Sequence, residues 1–570
     1  SNSYNFKREY ATRSFNTVYA SFDIWKGIKF ASTFSYDFVM NKSRAWKDPR
    51  TSDGDDDNGR FSKDYNDITN KTWSNIMTYQ TKIKKKHNLD LLAGYEINSK
   101  ESDGLGTTIS NFARWDKPEV NNGVVYQSMG GSNSTTRIVS YITRANYDYD
   151  NKYYLGASWR TDGSSRLARE NRWGNFWSLS GAWRVSSESF MKPLQNWLSD
   201  LKLRVSYGVN GTLPSSYDGY MGLSSLTSND NDNPGITQSQ LKNKELTWET
   251  NYNFNSGIDL GFFDNRLNVT FEYYVRTTKN LLYSRPLSLA TGFSSYLANI
   301  GKLQNKGYEL EIRSTNIETK DFRWSTSLNL GHNANKILKL DGDLKQVTSG
   351  TSIHKVGVPY CTDYMIEFAG IDPADGEPMF YKNTTDENGN LNKETTKDPR
   401  SAEKVILQCA DPTITGGLGN SISYKWFDLN FNVNFSFGAW NYDGAAGKLE
   451  HGGDGTLNIP IYYRKRWQKE GDETSIERFV VGRSISMTDY ATTRRLYSGG
   501  YVRLKNLTFG FTLPKTWTRQ VGIDNIRLYA SGNNLLTWAA YDYIDPESGS
   551  SPSWDTPPMR TYTFGLEVKF

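Results

Sequence analysis

The segment 428–437 reads DLNFNVNFSF, with Leu429, Phe431, Val433, Phe435 and Phe437 alternating with Asp428, Asn430, Asn432, Asn434 and Ser436. In an extended chain successive side chains point to opposite faces, so one face here is apolar and the other is lined by amides. No soluble sheet needs so many asparagines turned inward. The same split recurs at 201–209, where Leu201, Leu203, Val205, Tyr207 and Val209 oppose Lys202, Arg204, Ser206 and Gly208, and again at 28–38, 89–97, 153–160 and 267–275. Segments of about ten residues are what a tilted strand needs to cross a bilayer.

Helical crossing is excluded, because no run of about 18 apolar residues exists. A mean hydropathy of −0.67 is compatible with crossing by strands, since every second residue of such a strand faces water. The 17 Trp, 36 Tyr and 27 Phe beside 48 Gly mark a β-rich chain. The net charge of +5 comes with no concentrated basic arm, so nucleic acid is not an expected partner.

Spacers between the alternating segments are of two kinds that take turns. Short ones include Trp25 to Gly27, Lys84 to Lys86, Asp150 to Lys152 and Phe262 to Asn265; long polar ones cover about 41–71, 99–136, 211–245, 334–412, 439–498 and 537–559. Short turns on one side and long loops on the other predict an antiparallel up-and-down transmembrane β-barrel with the long loops extracellular. Counting hairpins gives about 17 strands, the first near 13–25 and the last at 560–570. An odd count leaves the first and last strands running the same way, so an odd number of further strands is expected elsewhere, because open edges in lipid are costly. The chain opens at Ser1 without a charged, apolar and small-residue leader, so a secretory signal is expected to have been removed or to lie upstream.

At the end of the chain Tyr562, Phe564, Leu566, Val568 and Phe570 alternate with polar or small residues. This end resembles the closing strand of bacterial outer-membrane barrels, which implies recognition by the barrel-insertion machinery. Further segments, in order, are 162–166 (DGSSR), 171–177 (NRWGNFW), 200–208 (DLKLRVSYG), 244–249 (KELTWE), 305–311 (NKGYELE), 369–378 (AGIDPADGEP), 411–420 (DPTITGGLGN), 500–514 (GYVRLKNLTFGFTLP) and 526–534 (IRLYASGNN). Together they resemble the SusC/RagA family of TonB-dependent outer-membrane transporters. The resemblance implies that residues 1–570 are the C-terminal part of a 22-stranded barrel in the outer membrane of a Gram-negative bacterium, whose plug and TonB-contacting segment lie outside this sequence. It also implies active import of oligosaccharides or peptides, a SusD-like surface lipoprotein as partner, the TonB complex as energy source, and a dimer of transporter–lipoprotein pairs.

Catalytic and metal signatures are lacking: His87, His332, His354 and His451 are far apart, and neither HExxH, GxSxG, paired CxxC nor GxxxxGK[ST] occurs. No cofactor and no enzymatic activity are expected. Asp53, Asp55 and Asp57 alternate like a calcium loop, but the glycine falls at Gly59 and position twelve is Asp64, so a solvated acidic loop is the preferred reading. Asp386 to Asn390 (DENGN) reads as a hairpin turn. Cys361 and Cys409 can pair in an oxidising compartment or be two unrelated small residues. Trp440, Tyr442, Tyr541, Tyr543 and Trp554 offer faces for sugar rings or peptide side chains, or equally serve loop packing and the interfacial girdle. Asn430, Asn432, Asn434, Arg204 and Arg144 are candidate substrate-path groups that alternatively only keep the wall wet. The competing readings are a secreted all-β glycan-binding protein or glycoside hydrolase, and an uncoupled porin or siderophore receptor.

Overall fold

The computed structural model describes residues 4–570 apart from 231–232, 341, 343, 386–389, 454–457, 482–489, 542 and 549–556. The Asp386 to Asn390 turn falls almost wholly outside the described residues, and Trp554 falls outside them too. Seventeen strands belong to one antiparallel sheet, the number the hairpin count predicts. They are β1 (Phe6–Trp25), β2 (Ile28–Lys47), β3 (Arg60–Ile83), β4 (His87–Phe112), β5 (Gly123–Tyr149), β6 (Tyr153–Ser164), β7 (Trp173–Arg184), β8 (Leu198–Thr212), β9 (Glu249–Phe262), β10 (Leu267–Lys279), β11 (Lys302–Glu318), β12 (Phe322–Lys339), β13 (Ile414–Tyr424), β14 (Phe427–Phe437), β15 (Tyr501–Thr512), β16 (Asn525–Ala539) and β17 (Thr561–Lys569).

The chain forms two units. In the first, β1 to β7 form a meander in which each strand pairs antiparallel with the next. In the second, β11 to β17 do the same. The tight turns after β3 and β5 use Lys84, Lys85, Asp150 and Asn151 at positive φ, the backbone that a two- or three-residue reversal between right-twisted strands demands.

Alternation becomes geometry on β6 and β7. One face carries Leu155, Trp159, Trp177, Leu179 and Trp183, all exposed, while on the other the Ser158 and Ser178 hydroxyls are 2.7 Å apart. Two aromatic rows bracket the apolar face. Tyr149, Tyr153 and Trp183 stack at successive centroid spacings of 6.3 Å beside the short turn, and Tyr95, Tyr141 and Trp173 follow at 5.2 and 6.2 Å. Along β7, Trp183 and Trp173 face the partners Tyr153 and Gly163. Ten residues of strand rise about 33 Å, or about 25 Å after a 40° tilt, the height of an outer-membrane apolar band.

Strand boundaries differ from expectation at two places. Segments 41–71 and 99–136, expected as loops, are largely strand: β2 continues to Lys47 and β3 starts at Arg60, while β4 runs to Phe112 and β5 starts at Gly123. Pairing is a backbone property and persists where both faces are wet, whereas alternation disappears there. Trp46, Phe61, Ile109 and Phe112 close this extension as a small buried core. Asp48, Asp57 and their neighbours form the turn between β2 and β3; Asp57 pairs with Arg60, and Asp48 accepts from Arg50 at 2.7 Å.

The connection between β12 and β13 is folded rather than loose. Gln346–Ser349, Ser352–Lys355, Thr362–Ile366 and Lys404–Cys409 make a four-stranded sheet in which Cys361 and Cys409 are disulfide-bonded, their Cα atoms 5.2 Å apart. In that sheet Asp363 is 6% exposed and its Oδ2 has no hydrogen-bond partner among the described residues.

Two outcomes are expected. Leu155→Arg or Leu179→Arg, near the middle of the apolar band, should destabilise the folded protein in lipid vesicles by about 2–4 kcal/mol in denaturant titrations. Ser178→Arg on the polar face should cost well under that. Burial pushes the Asp363 carboxyl up to about 6. Its folded form holds a proton more tightly than the unfolded chain does, so the small sheet gains stability as pH falls from about 6 towards 4 and loses it on the return. Hydrogen exchange over 346–409 should therefore be slower at pH 5 than at pH 7.5 after correction for intrinsic rates, and Asp363→Asn should remove that difference.

Candidate functional site

Two regions of the second unit gather polar groups. The first is the polar face of β10 to β14. Strand alternation turns Glu309, Glu311, Asn329, Asn432, Asn434 and Ser436 to one side, where they line a cavity of about 1020 Å³. Asn432 and Asn434 are thus brought together. Asn430 faces a neighbouring cavity of about 320 Å³ and donates to Asp428 Oδ2 at 3.2 Å. Arg204 is committed: it donates to Asp259 at 2.8 and 2.9 Å and to Glu272 at 2.7 Å. In the first unit, Arg144 lies 3.3 Å from Asp90. Both arginines are therefore ion-paired parts of a wet face.

The second region is built from the connections flanking β14, β15 and β16. Trp440 and Tyr442 sit on a short strand, Trp440–Tyr442, paired antiparallel with Leu496–Ser498. Tyr541 stacks on Tyr497 at 4.0 Å, meets Tyr543 edge-on at 5.2 Å, and donates its hydroxyl to Asp443 Oδ2 at 2.8 Å. Tyr543 continues to Tyr462 at 5.6 Å. Of the aromatic candidates, Tyr541 and Tyr543 are brought together.

Beneath them is a network that sequence reasoning missed. Glu477 is fully buried and pairs with Arg494; Glu450 lies 3.3 Å from Arg495, and Tyr462 donates to Glu450 at 2.5 Å. Tyr463 donates to Glu477 at 3.0 Å. Burial, reinforced by the adjacent carboxylates, holds the Tyr463 and Tyr541 hydroxyls above the ordinary phenol range, so both stay protonated donors. Arg503, 2% exposed, donates to Asp545 at 2.5 Å and Glu547 at 2.6 Å. Apart from Arg503 on β15, these charges lie in irregular segments with no periodicity, so no sequence signal marks them as buried.

The same region joins two long connections. Trp467 covers Gly376, a residue at φ +73° where a Cβ would meet the indole at 2.5 Å, and its Nε1 donates to the Pro373 carbonyl at 3.0 Å. Arg478 donates to Glu377 at 2.6 Å, and Ile366 forms a parallel bridge with Thr492. Segment 369–378 is thereby the seat of the other connection. Removing Glu477 as Glu477→Ala leaves the Arg494 guanidinium buried without its closest counter-charge, which should destabilise this region by about 3–5 kcal/mol. Accelerated hydrogen exchange in both 366–380 and 460–480, with β14 to β16 unaffected, is the expected readout.

Comparison with known proteins agrees with this architecture. Residues 1–535 match the family model described as TonB dependent receptor-like, beta-barrel. The chain is 32% identical over 593 residues to TonB-dependent receptor P3 of Formosa agariphila, covering 97% of this chain and 57% of that protein. It is 31% identical over 461 residues to TonB-dependent receptor SusC of Bacteroides thetaiotaomicron, covering 76% of this chain and 44% of that protein. The fold matches a structure of the RagAB peptide transporter with a TM-score of 0.89 at 27% identity, over 100% of this chain and 63% of that one. The chain spans about half the length of the curated relatives it matches. With its two-faced strands, its polar cavities and these relatives, the chain belongs to the TonB-dependent receptor β-barrel family, an outer-membrane family of receptors and not of enzymes, and within it to the SusC/RagA group.

Proposed function

We propose that the protein containing this chain imports oligosaccharides or peptides across the outer membrane of a Gram-negative bacterium, energised by TonB and assisted by a SusD-like surface lipoprotein. The observation that carries the reading is the opposition of faces on the same strand: exposed Phe427 and Phe437 on one side of β14, and Asn432 and Asn434 on the other, where they line a cavity of about 1020 Å³. The likeness to a structure of a peptide transporter supports the peptide class, and relatives named TonB-dependent receptors support energising by TonB. In this reading residues 1–570 form the C-terminal part of the barrel, and the long connections face the outside. Asn430, Asn432, Asn434, Arg204 and Arg144 keep the path wet, Trp440, Tyr442, Tyr541, Tyr543 and Trp554 contact cargo at its mouth, and the lipoprotein closes over the joined connections 334–412 and 439–498. Tyr562, Phe564, Leu566, Val568 and Phe570, of which Phe564 is 83% exposed, serve as the insertion signal. Transporter and lipoprotein pair twice, as a dimer.

A panel of fluorescent oligosaccharides and peptides tests this in the host. Uptake of at least one probe should fall to background both in a deletion strain and in a strain with inactive TonB, and tagged protein from the outer membrane should carry a stoichiometric SusD-like lipoprotein. Unchanged uptake and growth on every glycan and peptide source in the deletion strain would overturn import. Recovery of the transporter alone would overturn the partnership.

A further inference from the structure

Two short turns of the first unit share one backbone and differ in sequence. In the turn between β5 and β6, Asp150 and Asn151 lie at φ +56° and +54°, and the Lys152 N–H donates to the Tyr149 carbonyl at 2.9 Å. In the turn between β3 and β4, Lys84 and Lys85 lie at φ +49° and +60°, and the Lys86 N–H donates to the Ile83 carbonyl at 3.2 Å. This reversal needs two consecutive left-handed residues, so it favours Asn, Asp and Gly. Asp150 and Asn151 follow that preference. Lys84 and Lys85 do not, since a long side chain gains no local hydrogen bond there to offset the crowding of its Cβ. Two adjacent departures from a local rule, with no local compensation, mark a position held for another purpose.

What the lysines offer is charge. Lys86 is matched, its ammonium 3.4 Å from the Asp150 carboxylate. Lys84 and Lys85 are exposed and form no ion pair among the described residues, which include all of β1 to β7 and the turns between them. The three short turns of this unit, Trp25 to Gly27, Lys84 to Lys86 and Asp150 to Lys152, hold five lysines and one aspartate. At the other end of the same strands, 53–57 reads DGDDD. The excess of cations therefore belongs to the short-turn end.

The neighbouring surface identifies what these cations face. His87, the residue after Lys86, pairs with Tyr149, Tyr149 with Tyr153, and Tyr153 with Trp183, so the aromatic row lies on the rung that adjoins the turn. Its rings stack at 6.3 Å, His87 lies 5.0 Å from Tyr149, and Tyr153 and Trp183 are exposed. Exposed Leu155 and Leu179 follow on the same face. From the turn inward the order is ammonium, amphipathic ring, aliphatic side chain, which matches phosphate, glycerol ester and acyl chain of a phospholipid. A lysine stem is long enough to lie along apolar surface with its head in water. A zwitterionic headgroup brings an ammonium of its own, which two unmatched ammonium groups disfavour. An anionic one does not.

We infer that the turn Lys84 to Lys86 is a docking site for an anionic phospholipid of the leaflet at the short-turn end, Lys84 and Lys85 holding its phosphodiester and Tyr149, Tyr153 and Trp183 its ester region. The site is independent of the cargo, and the importer reading enters only through the orientation that puts the short turns in the periplasm.

The test uses the full-length protein, stripped of lipid in a neutral detergent and titrated with fluorescent phosphatidylglycerol and phosphatidylcholine. Phosphatidylglycerol should bind roughly thirtyfold more tightly, the effect of two ammonium groups beside an anionic headgroup. Lys84→Asn with Lys85→Gly supplies the residues this turn prefers, so the preference should vanish while the denaturant midpoint stays the same or rises. Lys84→Arg with Lys85→Arg should keep the preference. Lys47→Asn with Lys117→Asn removes two exposed lysines from the far end of the strands and should keep it too. Equal affinity of the unaltered protein for the two lipids overturns the inference, as does a preference that survives Lys84→Asn with Lys85→Gly. A lower midpoint in that variant also overturns it, because the lysines would then be serving the fold. Absent lipid selectivity with TonB-dependent uptake intact sinks this site alone; lipid selectivity in a protein that imports nothing sinks the importer reading alone.

Discussion

Every backbone N–H and C=O that crosses lipid must be bonded within the protein, and a paired antiparallel ladder is the one way a strand can meet that demand. This requirement fixes the backbone first and frees the side chains to answer to solvent. Hence β4 and β5, of 26 and 27 residues, stay paired along nearly their whole length although their sequence character changes midway. Near the short turn, Leu89, Leu91 and Ala93 sit on one face opposite Tyr147, Ala145 and Thr143; farther along, Gly104 and Gly106 pair with Ser132 and Gly130, and the apolar residues of the other face thin to Leu105 and Met129 among Asp103, Thr107 and Asn133. The ladder is continuous where the alternation is not.

Beyond the ladder the connections need another source of order, and large apolar cores do not supply it. Their buried clusters are small, such as Ile366 with Phe380, while full-length charged side chains are interred: Glu477, Arg494 and Arg495. An ion pair of this kind adds little net stability over an apolar substitute, yet breaking it by removing one partner is expensive. Such contacts select one arrangement rather than deepen it. Trp467 over Gly376 and Arg478 on Glu377 then carry that arrangement from one connection to the other, so the surface they share behaves as a single folded body within its unit.

That division explains what was legible in the sequence. Strand number, the turns at Lys84–Lys86 and Asp150–Lys152, and the segregation of Leu429 from Asn430 follow from a period of two, which is local and repeated. The ends of β2 to β5 were not legible, because Asp64, Asn66 or Gly106 can pair in a ladder as readily as they can form a loop. At the candidate site, Tyr541 and Tyr543 announce themselves as aromatics in a polar segment, but their partners do not. Asp443 reaches Tyr541 from 98 positions away, and nothing in the composition around Glu450 or Arg503 distinguishes a buried charge from a solvated one. Long-range complementarity leaves no periodic trace.

The charges on the polar faces follow a rule of their own. In the first unit Arg144 lies against Asp90 and Arg160 against Asp162; in the second, Arg204 lies against Asp259 and Glu272, and Arg527 against Asp428. Each cation is matched within about one side chain's reach, so these faces are highly polar yet close to neutral locally. A surface of that kind hydrates a passing solute without gripping it, because any new contact must displace one already made. The matching has a structural origin, because neighbouring strands set Arg144 of β5 beside Asp90 of β4 and Arg204 of β8 beside Asp259 of β9.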